Sequence, residues 1–315
     1  MGGLPGSFYF KEEKHMPMIS ENWAEQLEPG LRKIFDLAGK KEKDYLGLMY
    51  NVENSTKAQE TSQGVGDLGL MEEWGATGNK VAYEDIKKGY TSNYIHRKYS
   101  KGTQIERELV DDEQYGEIKK RVKNLRMVEY RTIQYHAALP FNNAFNASFK
   151  GPDGVALCSA SHPKALGSSS LTSNFGAYEL TAANVTTVRN LMRRWEDDKA
   201  NQFLVMPDTI VVPTEGLEPA LVIAGTDEKP GTTDHGINVW KGKFNVIEWP
   251  WLTDANAWFM LDSERAKMFL NWFWRRKPGF KATEDFDTEI AKYATIARFS
   301  YGWDDFSFIF GCNPS

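Results

Sequence analysis

Two clusters of acidic and aromatic side chains are the first candidates for chemistry: Trp195 with Glu196, Asp197 and Asp198, and Tyr301 with Trp303, Asp304 and Asp305. Paired carboxylates beside rings that stack on a sugar are what a carbohydrate hydrolase needs. Neither cluster offers a clearly buried acid in the sequence, and helix-end and turn residues beside core tryptophans account for both. The run WFWRRK at 272–277 sets three cations among aromatics, a combination that stacks on single-stranded nucleic acid. An amphipathic element with rings inward and charges outward is the simpler account. Ser161 and Lys164 match SxxK in form only, because Pro163 stands where that motif needs a helical turn.

No GxSxG elbow occurs, and the stretch 225–232, nearest to a phosphate loop, has Pro230 and lacks a lysine at the required place. His15, His96, His136, His162 and His235 never stand at the i, i+4 spacing of a zinc helix. Cys158 and Cys312 are far apart with no CxxC pattern and read as buried free thiols. No catalytic residue, cofactor or metal ligand is expected, and the chain does not read as an enzyme.

The elements that must position these side chains belong to a chain able to bury a sizeable core, with 315 residues of which 41% are hydrophobic and 13% aromatic. A formal net charge of -5 leaves no global basic footprint, which disfavours phosphate binding as the main activity. The first 18 residues mix acids with lysines and lack the apolar stretch of a secretory signal, and no window approaches a membrane span. A reducing, cytoplasmic site of synthesis is expected, so the glycosylation triplets at Asn54, Asn146 and Asn184 carry no meaning.

Along the chain, Ser20 is a candidate N-cap for a short helix that Pro29 and Gly30 are expected to break. Glycines at 64, 66, 69, 75, 78, 89 and 102 then punctuate β-favouring runs over 61–109, with polar residues on both sides. A long hairpin with little core of its own fits that pattern, its partner being another chain. The clearest helix follows over 111–139, with Tyr115, Ile118, Val122, Leu125, Val128, Ile133 and Ala137 at helical spacing before Pro140. At 1.5 Å per residue it would be a rod of about 40 Å. A loop region over 141–178 leads to a second helix capped by Thr181, with Val185, Val188, Leu191, Met192 and Trp195 on one side. Strands are predicted within 203–213, 244–251, 257–261 and 297–310, and a helix or strand over 217–224. Without regular βαβ alternation this order points to an α+β class with one core.

These residues in this order resemble the major capsid proteins of tailed bacteriophages with the Hong Kong 97 type of fold, particularly those similar to the major head subunit of Mu-like phages. The pieces that carry the resemblance are YTSNYIHRKYSKGTQIEREL at 90–109 leading into DDEQY at 111–115, FNNAF at 141–145, DGVAL at 153–157 and SHP at 161–163. PDTIVVP at 207–213, YGWDD at 301–305 and GCNP at 311–314 complete them.

The resemblance implies an N-terminal arm over 1–60, an extended loop (E-loop) over 61–110, and a peripheral domain over 111–213 built on the spine helix 111–139. An axial domain over 214–255 and a return to the peripheral domain over 256–315 follow. It further implies hexamers and pentamers closing an icosahedral or prolate shell around double-stranded DNA, without sequence-specific contact to it and without a membrane. Expected partners are other copies of the chain, a separate scaffolding protein, a portal protein and a decoration protein, in the host cytoplasm during assembly and then in the virion. Tyr83, Tyr90, Tyr94, Arg97, Lys98, Tyr99 and Arg107 are the expected intersubunit contacts. Some relatives crosslink a loop lysine to a neighbour's asparagine; here lysines at 80, 87, 88, 98 and 101 read as ordinary edge protection. Two alternatives stay open: an encapsulin-like nanocompartment shell, and a monomeric carbohydrate hydrolase.

Overall fold

The computed structural model describes residues 23–39 and 43–314, apart from positions 67, 72, 75–77, 79, 80, 82, 198, 203, 229, 231–235 and 286. Helix α1 (Trp23–Gly39) turns Ala24, Leu31 and Phe35 to one face. Asp44 caps the short α2 (Tyr45–Met49) by accepting the Gly47 amide at 3.0 Å, and β1 (Asn51–Asn54) follows. Strands β2 (Gln59–Val65) and β3 (Lys88–Ile95) form an antiparallel ribbon, and β4 (Arg97–Glu106) leads through α3 (Glu108–Asp111) into α4 (Tyr115–Asn142). At 28 residues α4 is about 42 Å long. Its buried stripe runs from Ile118, Val122 and Leu125 to Ala137 and Phe141 at helical spacing, because that face packs on a sheet.

Short strands β5 (His162–Pro163), β6 (Leu171–Thr172) and β7 (Phe175–Gly176) precede α5 (Ala182–Arg193), whose cap Thr181 accepts the Asn184 amide at 3.3 Å. Then come β8 (Thr209–Val212), α6 (Leu217–Gly225), β9 (Asn245–Glu248) and β10 (Trp258–Leu261). Asp262 caps α7 (Ser263–Phe269) by accepting two backbone amides, and the chain closes with β11 (Leu270–Asp285), β12 (Ile290–Trp303) and β13 (Ile309–Cys312).

Two sheets organise the body. One runs β1-β11-β12-β4, with β1 parallel to β11 and the rest antiparallel. The other runs β7-β13-β10-β8-β9, and all four residues of each of β8, β10 and β13 are buried. Aromatics fill the largest cluster: Trp272 stacks on Phe299 with ring centroids 4.5 Å apart, and Phe299 stacks in turn on Tyr99 at 4.5 Å. A second cluster joins α5 and α6 to the five-stranded sheet, and a third joins α1 and α4 to β11 and β12. Among the described residues no helix is long and apolar enough to cross a membrane.

Several expectations need correction. Pro29 does not break α1, because burial of Leu31 and Phe35 beyond it outweighs the one helical hydrogen bond that proline removes; the expected cap Ser20 lies outside the described residues. Residues within the expected arm 1–60 enter the body: α1 contributes Leu31 and Phe35 and α2 contributes Tyr45 and Met49 to its cores, and β1 pairs with β11. The expected hairpin over 61–109 is two things, a ribbon of β2 and β3 and a body strand β4 paired to β12 over ten residues. The spine helix begins at Tyr115, after the acids at 111–113, and carries Pro140 inside its last turn. The run 272–277 is the start of a 16-residue strand. The second core draws on residues either side of 214–255, from Val185 to Cys312.

Candidate intersubunit surface

The ribbon of β2 and β3 stands on the body through three inward positions, two on β3 and one at the joint between β3 and β4. Ser92, Tyr94 and His96 alternate with exposed Thr91, Asn93, Ile95 and Arg97, so period-2 geometry puts all three on one side. The Tyr94 hydroxyl donates to Asp304 Oδ1 at 2.6 Å and its ring meets Phe273 edge-on at 5.0 Å. Asn271, on β11, donates to Asp304 Oδ2 at 2.9 Å and completes that node. His96 lies between Ser55 Oγ, 3.0 Å from Nε2, and Ser300 Oγ, 2.9 Å from Nδ1, while Arg298 Nε donates to its carbonyl at 3.3 Å. Burial, then the Arg298 charge, holds the His96 imidazole below its ordinary value. Ser92 Oγ donates to the Trp303 carbonyl at 3.4 Å. The root is thus a polar hinge with a charged centre, and residues at 55, 271, 300 and 304 belong to it although they are remote in sequence.

Beyond the hinge the ribbon carries little core. The connection 66–87 exposes Leu70 (81%), Met71 (100%), Trp74 (67%) and Tyr83 (93%). Among its described residues Glu84 reaches the body, pairing with Lys199, and accepts the Gly69 amide at 2.9 Å. Between the ribbon root and the body lies a crevice of about 340 Å³, bordered by Gly66 and Tyr90 on one side and Asp153, Lys164, Arg265 and Asp305 on the other. At its wall His162 Nδ1 meets Asp153 Oδ2 at 2.5 Å and the imidazole stacks on Phe306, with centroids 4.0 Å apart.

The expected contact residues separate into three groups. Tyr83, Arg97 and Lys98 are exposed. Tyr90 is half-buried and its hydroxyl donates to the Ala165 carbonyl at 3.2 Å; Arg107 lies 3.8 Å from Asp111 and 3.9 Å from Glu289. Tyr94 and Tyr99 make contacts inside their own chain, Tyr94 with Asp304 and Tyr99 stacked on Phe299 and tilted against His136.

The two acid clusters are likewise structural. Contrary to the sequence expectation, Asp197 is buried; burial works against its charge, but Asn201 and the Lys199 amide bond the carboxylate and hold it below its usual value. It also accepts the Asn201 amide at 2.7 Å. Burial pushes the Asp305 carboxyl up, while its oxygen accepts the Ser307 amide at 2.8 Å. Asp304 is committed to the hinge, Glu196 meets Lys164 at 3.3 Å, and Asp198 lies outside the described residues. Cys158 and Cys312 are free and buried, and burial pushes both thiols up. Among the described residues no group of three or more acids, histidines and cysteines could hold a metal ion.

Among curated proteins none matches this sequence. Solved structures do share its fold. A capsid of bacteriophage JBD30, decorated with minor capsid protein trimers, superposes with a TM-score of 0.56 at 14% identity, covering 69% of this chain and 93% of that one. A chain from Microbacterium phage Oxtober96 gives 0.53 at 10% identity, covering 90% and 98%. A virus-like particle from Pyrococcus furiosus gives 0.57 at 8% identity, also covering 90% and 98%. The fold is the Hong Kong 97 type found in phage capsids. The family described as phage capsid protein matches residues 89–310, a span from the ribbon's β3 to β13, and the chain belongs to that family as a structural and not a catalytic protein.

Proposed function

We propose that this chain is the major head subunit, assembling into hexamers and pentamers that close an icosahedral or prolate shell around double-stranded DNA. The observation that carries this reading is the ribbon of β2 and β3, whose far connection displays Leu70, Met71, Trp74 and Tyr83 to solvent. Large apolar groups exposed along one connection mark a protein-binding surface. In this reading the ribbon of β2 and β3 with its connection is the part of the expected E-loop (61–110) that lies across a neighbouring subunit, α4 is the spine of a peripheral domain, and an axial domain around 214–255 meets its copies at the symmetry axes. A closed shell repeats each contact many times, so individually modest contacts suffice and stay reversible during growth. A scaffolding protein, a portal protein and a decoration protein are the implied partners, in the host cytoplasm during assembly and in the virion afterwards.

Negative-stain imaging and sedimentation of the chain co-expressed with its scaffold test this: closed shells are expected. Met71→Ser with Trp74→Ser is expected to abolish shells while leaving the circular dichroism and melting of the subunit unchanged. A stable monomer at high concentration would refute the reading. A second reading, a nanocompartment that encloses protein cargo, stays open because the fold is shared with a virus-like particle from Pyrococcus furiosus. Nuclease-resistant DNA inside the particles would exclude it.

A further inference from the structure

The four-stranded sheet has one face on α1 and α4, lined by Phe280, Tyr293, Thr295 and Phe299. Alternation assigns the intervening residues of β12 and β4 to the opposite face, and Arg276, which lies between two register shifts of β11, joins them through its pairing with Arg298. There the register sets Arg276, Arg298 and Lys98 side by side across β11, β12 and β4. Like charges directly opposite one another destabilise a sheet. Among the described residues none of the three forms an ion pair with an acid; Arg298 Nε meets only the His96 carbonyl, and the buried Nε of neighbouring Arg275 has no hydrogen-bond partner. The next row of the face is low, with Gly279, Ile296 and Ser100, and the one after it sets Ala294 and Gly102 beside Lys281.

The same strands end in the opposite charge. The β11–β12 turn carries Asp287 and Glu289, next to Asp285 at the end of β11, which Lys292 pairs at 2.6 Å, and the segment after β4 carries Asp111, Asp112 and Glu113, joined to Glu289 through Arg107. From Lys98 to Glu106 the two ends are about 27 Å apart along β4. That exceeds the screening length of about 8 Å at physiological salt, so the ends do not neutralise each other within one chain.

We propose that the cation row of Arg276, Arg298 and Lys98 is a docking surface for the acidic end of a second copy of this chain. The low floor beside the row admits a protruding turn, and the chain itself supplies the complementary charge. A cation surface at one place and an acidic end at another make a heterologous, head-to-tail contact, which closes rings or shells when the rotation closes. This rests on the self-assembly reading and names one of its interfaces. Duplex DNA is the competing occupant, but it would leave the acidic end without a partner.

The test mixes two populations of the full chain, one with Lys98→Cys and one with Asp112→Cys, bearing tags of different mass, under mild oxidation. A mixed disulfide in excess over either self-disulfide is expected, and it should disappear at high salt or when Arg276→Glu and Arg298→Glu are added to the first population. Adding Asp111→Lys and Glu113→Lys to the second population should then restore it. No excess of the mixed product overturns the proposal, as does retention of duplex DNA that depends on the cation row without any mixed product. If the charge reversals fail to fold, the cysteine pair alone decides. Imaging the wild-type chain in parallel separates the two readings: shells without the mixed disulfide refute this docking alone, and the mixed disulfide without shells refutes the shell reading alone.

Discussion

Replacing Tyr94 with Phe removes a single hydroxyl from the hinge and keeps the ring's contact with Phe273. Tyr94 is 4% exposed, and its hydroxyl donates to a carboxylate at 2.6 Å, a charge-assisted bond out of reach of bulk water. Such bonds stabilise by about 1.5–3 kcal/mol net. Asp304 keeps its bond from Asn271 at 2.9 Å, which favours the lower end. At 1.4 kcal/mol per tenfold, opening of the ribbon root becomes about tenfold to a hundredfold more frequent. Native-state hydrogen exchange reads this directly: protection of the β3 amides should fall by that factor, while β8 and β10 stay protected. Unchanged protection in β3, or an equal loss in β8 and β10, would refute the hinge assignment.

Three further outcomes follow from the same physics. The His96 imidazole titrates below its ordinary 6.5 in the folded chain, so the unfolded chain takes up the proton first and stability falls as pH drops through 6.5 toward the lower folded value. Unfolding midpoints at about pH 7.5 and 5.5 should differ less in His96→Gln, with a remainder from His136, which burial shifts the same way. Gly311→Ala places a methyl 2.5 Å from the Cys158 sulfur and 2.7 Å from Phe145 in a buried strand, and should cost about 1–3 kcal/mol in denaturant unfolding. Phe299→Ala removes the ring between Tyr99 and Trp272 and should cost about 3–5 kcal/mol by the same measurement.

The sequence made α4 legible because Ile118, Val122 and Leu125 keep helical spacing on a face that packs against a sheet. Thr181 was readable for the same local reason, since a cap and its amide lie within one turn. Strand β11 was not, because register shifts between Trp274 and Gly279 break the alternation that identifies a strand. Strand β4 looked like part of a free hairpin because it lies at a sheet edge, and of its ten residues only Ile105 is fully buried. At the hinge, the spacing of Ser92, Tyr94 and His96 was visible, but their partners at 55, 271, 300 and 304 come from long-range pairing that no local pattern reports. The charge row was hidden for the same reason, since Lys98, Arg276 and Arg298 become neighbours only through strand register.

A single residue, His96, separates the ribbon strand β3 from the body strand β4, so the two act as the arms of a lever with that residue as fulcrum. The outer arm, eight residues from Ile95 back to Lys88, is about 26 Å long. A rotation of about 10° at the fulcrum therefore carries its far end through about 5 Å, on the order of one residue repeat and a half along a strand. The inner arm is clamped along ten residues to β12 and barely moves for the same rotation. The outer arm and its connection are also moored, by the Tyr90 hydroxyl on the Ala165 carbonyl and by Glu84 on Lys199, so a swing of the ribbon must break those two contacts as well as shift the partners of His96.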